Sequence, residues 1–177
     1  MSTPDGTARR GAFYAAQHED RAHPVRCAPD TATVLDLCTR DVVTADAGMM
    51  VAEAARRMRD QQVGALVVVE DASPTRHLVR GMVTDRDIAL GIVAADRDPH
   101  ACTLRDIMST SLVTARAGDG VLDVLAQMKA RQVRRVPVTG PAGELVGIVT
   151  LDDLVAALAS QVQAIAGAVW SSRRRVV

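Results

Sequence analysis

The sequence predicts an α/β (α+β) fold: two β-α-β-β-α units packed about a pseudo-two-fold axis. Three observations predict it. The chain repeats itself, both copies run through the same order of helical and strand spacing, and the apolar residues, 48% of 177, are almost all aliphatic. A shift of 70 residues lays 33–69 over 103–139 without a gap, and 12 of the 37 positions are identical. The offset then falls to 66, because the first copy carries four extra residues in "EDASPTRH" (70–77). Beyond that loop Gly81, Val83, Thr84 and Asp87 match Gly147, Val149, Thr150 and Asp153. Such internal periodicity is the signature of a repeated supersecondary unit.

Each unit opens with a short extended stretch, "DVVT" (41–44) or "SLVT" (111–114). Val51, Ala54, Ala55 and Met58 then recur at helical spacing, as do Val121, Val124, Leu125 and Met128. An apolar strand follows, "GALVVV" (64–69) or "RRVPV" (134–138). A turn comes next, at Ser73-Pro74 or Gly140-Pro141. The second strand is "LVRGMVT" (78–84) or "LVGIVT" (145–150). A closing helix ends each unit, over 85–95 or 151–169. A helix on a small sheet leaves one face open, and a twin unit can cover it. The expected organisation is a flexible N-terminal segment at 1–32, a first domain at 33–95, a linker at 96–102, a second domain at 103–160, and a helix extension with a basic tail at 161–177.

Composition excludes several functions. Aromatics are 2% (Phe13, Tyr14 and Trp170), too few for a base-stacking platform, and the net charge is zero. Nucleic acid is therefore disfavoured as a partner. Three widely spaced cysteines (Cys27, Cys38 and Cys102) do not form a disulfide framework and fit a reducing cytoplasm. No apolar run reaches the roughly 18 residues of a membrane span, and residues 1–24 lack the apolar centre of a signal peptide. His18, His23, His77 and His100 are scattered without ligand spacing, so no metal is expected. No nucleophile elbow, Walker loop or dinucleotide fingerprint occurs, so no catalytic residue is assigned and the chain is not expected to be an enzyme.

The chemistry sits in "GMVTDRD" (81–87) and "GIVTLDD" (147–153). Thr-x-x-Asp at the start of a helix is a capping box, and that role alone accounts for both copies. The junction of a strand end and a helix start is also where α/β layers leave a crevice. A carboxylate there can accept hydrogen bonds from ribose hydroxyls. Both readings use the same geometry and stay open at this point.

The duplicated order of a "V-T" lead-in, a helix ending in Met, "VRRVPV" and "G(I/M)VT..D" resembles a tandem pair of cystathionine β-synthase (CBS) domains, the Bateman module. The resemblance covers about 33–160 and implies a stand-alone regulatory module. It implies that Asp87 and Asp153 hold ribose, with Thr84 and Thr150 beside them. It implies that the backbone of Val43-Thr44 and Val113-Thr114 meets an adenine edge, and that Arg134 and Arg135 approach phosphates. Gly64-Ala65 stand where the second copy has this Arg pair, so the two clefts are expected to be unequal. AMP, ADP, ATP and S-adenosylmethionine are the implied regulatory ligands. A homodimer through the CBS helices and a protein partner that reads the bound state are implied too. Ala157, Leu158, Val162, Ile165 and Val169 fall near one apolar stripe, which either covers the chain's own core or forms such a seam. The competing reading is a dimeric, stress-associated scaffold with no small ligand.

Overall fold

The computed structural model describes residues 33–73 and 76–173. The N-terminal segment 1–32, Pro74 of the first turn and residues 174–177 of the basic tail lie outside the described residues. The first copy contains α1 (Val34–Leu37), β1 (Thr44–Ala45), α2 (Val51–Asp60), β2 (Ala65–Ser73), β3 (Arg76–Thr84) and α3 (Asp85–Ile88), which continues as a π-helix over Ala89–Val93. The second contains a 3-10 turn (Leu104–Asp106), β4 (Ala115–Arg116), α4 (Val121–Arg131), β5 (Arg135–Thr139), β6 (Leu145–Thr150) and α5 (Leu151–Arg173). Each copy forms a three-stranded sheet, β1-β2-β3 or β4-β5-β6, with a parallel first pair and an antiparallel second pair. This is the expected α/β order, with a helical turn added ahead of each copy.

Of the two lead-ins and the residues just after them, Thr44–Ala45 and Ala115–Arg116 pair as strand. Two expectations are corrected. The described residues of 70–77 are strand and not loop. Glu70 pairs with Leu78 and Asp71 with His77, so the extra residues lengthen the hairpin. The ladder survives on polar residues because its bonds are backbone bonds, reinforced by Arg80–Glu70 at 2.6 Å and by the His77–Asp71 contact. The closing helices also differ from 85–95 and 151–169. The first changes to π spacing at Ala89, and the second runs on to Arg173.

The two copies exchange their leading segments. Cys102 and Leu104 are buried in the core of the first copy, against Ala54, Met58, Leu66, Val83 and Ile92. Val34 is buried in the core of the second, among Val124, Met128, Val136, Val149 and Leu154. The bonding follows matched positions. Val34 N–H donates to Asp119 O at 3.0 Å and Leu35 N–H to Ala117 O at 3.3 Å. Leu104 N–H donates to Met49 O and Arg105 N–H to Ala47 O, both at 2.9 Å. Thr39 and Ile148 exchange two backbone bonds of 2.9 Å, and Met82 and Ser109 exchange bonds of 3.1 and 3.0 Å.

The repeated glycines now have a physical reason. A Cβ on Gly147 would lie 2.6 Å from Cys38 Sγ and 2.8 Å from the Thr39 carbonyl oxygen. One on Gly81 would lie 2.8 Å from Met108 Sδ and 3.2 Å from the Ser109 carbonyl oxygen. Each glycine lets the other copy's leading segment lie against the strand.

Because each core holds part of the other copy, urea unfolding is expected to show one transition. Gly147→Ala should lower its stability by about 1–3 kcal/mol through overpacking. Gly81→Ala should cost less, because the Met108 side chain can move where the Thr39 backbone cannot. Two transitions, or a neutral Gly147→Ala, would contradict the exchanged core.

Candidate ligand cleft

Strand register gathers the sequence-predicted residues at one end of each sheet. Thr44 pairs with Val67 and Ala65 with Thr84, so Val43-Thr44, Gly64-Ala65 and the Thr84–Asp87 box share an end. In the second copy Ala115 pairs with Val138 and Arg135 with Thr150, which brings Val113-Thr114, Arg134-Arg135 and the Thr150–Asp153 box together likewise. Outer strands of such a three-stranded sheet are about 10 Å apart, close to the span of a nucleoside.

The boxes are formed in full. Thr84 N–H and Oγ1–H donate to Asp87 Oδ2 at 2.8 and 2.7 Å, and Asp87 N–H donates back to Thr84 Oγ1 at 3.2 Å. Thr150 and Asp153 repeat this at 2.9, 2.7 and 3.2 Å. All these carboxylate bonds fall on one oxygen. Among the described residues nothing donates to Oδ1 of Asp87 or Asp153, so capping leaves each carboxylate an acceptor for a hydroxyl.

The same box occurs twice more, which the sequence reading did not pick out. Thr33 N–H and Oγ1–H donate to Asp36 Oδ2 at 3.0 Å each, and those of Thr103 donate to Asp106 Oδ2 at 2.7 and 2.8 Å. These boxes start the two exchanged leading segments. The threonine N–H, and next its hydroxyl, hold both the Asp36 and the Asp106 carboxyl below the ordinary carboxylate value. Burial has the opposite effect on the Cys38 thiol and raises it.

Two cavities open beside these sheet ends. One, of 640 Å³, is lined by Ser111, Leu112, Val113, Thr114, Gln127 and Arg131, among others. The other, of 590 Å³, is lined by Met58, Arg59, Gln62, Val63, Gly64 and Asp85, among others. Both lie within the roughly 300–1,000 Å³ range of small-molecule sites. Of the ten sequence-predicted residues, Val113 and Thr114 line the larger cavity. The other eight line neither of these two.

Arg134 and Arg135 are separated in direction. Arg134 reaches Asp152 at 3.8 Å with both side chains exposed, a contact that contributes little. Arg135 crosses to the first copy. A Cβ on Gly64 would meet its Nη2 at 3.1 Å and Asp85 Oδ2 at 3.3 Å. The glycine that takes the place of a first-copy arginine therefore makes room for the arginine of the twin. Gln127 and Arg131 line the larger cavity without having been singled out in the sequence. Their signal was positional, on the last two turns of α4, next to the lead-in.

Two interlocked β-α-β-β-α units with clefts at their sheet ends define a paired-repeat binding module. The chain belongs to the CBS domain family, whose profile matches residues 34–94 and 104–160. It is 38% identical over 122 residues to the CBS domain-containing protein YhcV of Bacillus subtilis, covering 69% of this chain and 82% of that one. It is 29% identical to the uncharacterised protein MK0525 of Methanopyrus kandleri over 70% of this chain, and the match spans 61% of that protein's length. Among solved structures it resembles the CBS domain pair of protein MJ0100, in complex with 5'-methylthioadenosine and S-adenosyl-L-methionine. That likeness has a TM-score of 0.62 and 26% identity, and covers 71% of this chain and 94% of that one. No helix among the described residues is long and apolar enough to cross a membrane.

The lowered carboxyls set an acid dependence. Asp36 and Asp106 have folded pKa values below their unfolded ones, so each stabilises the fold above the unfolded value, about 3.9, and this is lost as pH falls through the folded value. The double variant Asp36→Asn/Asp106→Asn should show a shallower loss of stability below about pH 4. An unchanged acid limb in chemical denaturation would show that these boxes do not couple to folding.

Proposed function

We propose that the chain is a regulatory sensor, not an enzyme. It binds an adenosyl ligand (AMP, ADP, ATP or S-adenosylmethionine) beside Val113-Thr114 and hands the bound state to a protein partner. The observation that carries this is the 640 Å³ cleft at the sheet end where Asp153 keeps one carboxylate oxygen unused. In this reading Val113-Thr114 face the base, Asp153 takes the ribose hydroxyls beside Thr150, and Arg131 or Arg135 meets a phosphate or carboxylate. Val43, Thr44, Thr84 and Asp87 are the first-copy counterparts. The MJ0100 pair, with its adenosyl ligands, supports the ligand class. The reading puts the chain in the cytoplasm, where the free thiols of Cys38 and Cys102 stay reduced.

The same reading makes it a homodimer through α5. Ala157 at the start of the apolar stripe is buried in its own copy, whereas Val162 and Ile165 are 66% and 64% exposed. The Val162→Glu/Ile165→Glu variant should sediment as a monomer. A wild-type chain that is already monomeric at tens of micromolar would refute the seam.

A ligand-free scaffold is the second reading, and one observation favours it. The Thr-x-x-Asp box also forms at Thr33 and Thr103, where it serves the leading segments alone.

A thermal-shift series with AMP, ADP, ATP and S-adenosylmethionine separates the readings. A ligand at about a hundred times its Kd adds about 2.7 kcal/mol, a rise of roughly 5–10 °C in Tm for a chain of this size. The sensor reading expects one such ligand, lost in Asp153→Ala and kept in Asp106→Ala, which removes a cap without touching the cleft. Flat curves for all four, with similar small losses of stability in both variants, would leave the scaffold.

A further inference from the structure

The two copies are matched residue for residue at the lead-in, yet their backbone carbonyls there are used differently. In the first copy both are consumed. Val67 N–H donates to Val43 O at 3.2 Å, and Arg57 Nη1 donates to Thr44 O at 3.0 Å. Arg57 is steadied in that pose by Glu53, one helical turn earlier, at 3.4 Å. The bond to Thr44 O is part-buried, which sets one edge of the guanidinium against the lead-in.

In the second copy both are open. Position 137, which matches Val67, is proline and has no N–H to give Val113 O. Position 127, which matches Arg57, is glutamine, and its exposed side chain lines the 640 Å³ cleft beside Thr114. Among the described residues no donor reaches the carbonyl oxygen of Val113 or Thr114. An exocyclic amino group on a purine is a donor suited to such carbonyls, and the Gln127 amide can both donate and accept beside it.

We propose that Arg57 is an internal latch that closes the first-copy site, so that the chain takes one adenosyl ligand, in the second copy. This rests on the sensor reading above. Arg57 supplies from within the hydrogen bond that a bound base would make, and its side chain fills the position that Gln127 leaves clear. A ligand entering the first copy would have to displace a charge-assisted bond, whereas one entering the second displaces only water. Position 57/127 thus sets which copy binds.

The test is calorimetric titration of the full chain with S-adenosylmethionine and, separately, AMP. Wild type should bind one equivalent. Arg57→Gln should bind two, the second lost when Asp87→Ala is added. Gln127→Arg, the converse exchange, should weaken wild-type binding at least tenfold. A wild type that binds two equivalents overturns the latch, as does an Arg57→Gln protein that still binds one. Absence of heat from wild type and Arg57→Gln with both probes sinks the sensor reading and the latch with it, an outcome distinct from either of those stoichiometries.

Discussion

Leu104 is buried in a core built by the first copy, and Val34 in a core built by the second. Neither β-α-β-β-α unit closes its apolar interior with its own residues, because the leading segment that covers each one arrives from its twin. Three other features depend on this exchange. Gly81 and Gly147 stay glycine so that the crossing segments can lie against β3 and β6. The Thr33–Asp36 and Thr103–Asp106 boxes begin those segments and fix where they start. The two sheet ends are brought near enough for Arg135 of one copy to lie over Gly64 of the other. A chain of this length with almost no aromatic side chains has a modest aliphatic core, and sharing it makes one cooperative body from two small ones.

The sheet end is a consequence of that arrangement. Placing Val113, Arg135 and Thr150 together needs only the register of three short strands, which the shared core holds in place. Asp153 uses only half of its carboxylate. One oxygen completes the start of α5, and the other accepts no bond from the described residues. Capping fixes the carboxylate before any ligand arrives, so it is preorganised rather than recruited. The capping role of Thr-x-x-Asp and its proposed ligand role do not compete, since they would use different atoms.

The repeat, the order of its elements and most of the core positions were legible in the sequence. Apolar residues at Val51, Ala54 and Met58 report a buried helix face whichever sheet covers it. For the same reason the exchange was not legible, because periodicity says that Leu104 is buried and not which copy buries it. The hairpin extension at 70–73 was hidden by its polar residues, "EDAS", whose pairing runs through the backbone and leaves no hydrophobic alternation. Of the candidate site, the motif residues were readable, as was the inequality of the copies at Gly64 and Arg134. The crossing of Arg135 was not, since it depends on how the sheets meet. The contrast between Arg57 and Gln127 is visible once the copies are aligned, but it acquires meaning only when the Thr44 carbonyl is found at the end of that side chain.

The central claim is that the second-copy sheet end is an adenosyl site. A crystal structure of the full chain grown with S-adenosylmethionine tests it most directly. The adenine edge is expected within hydrogen-bond distance of the Val113 or Thr114 carbonyl, the ribose hydroxyls on Asp153 Oδ1, and Arg57 still bonded to Thr44. Ligand seated elsewhere, or ribose held by Asp87 with Arg57 swung away, would contradict it.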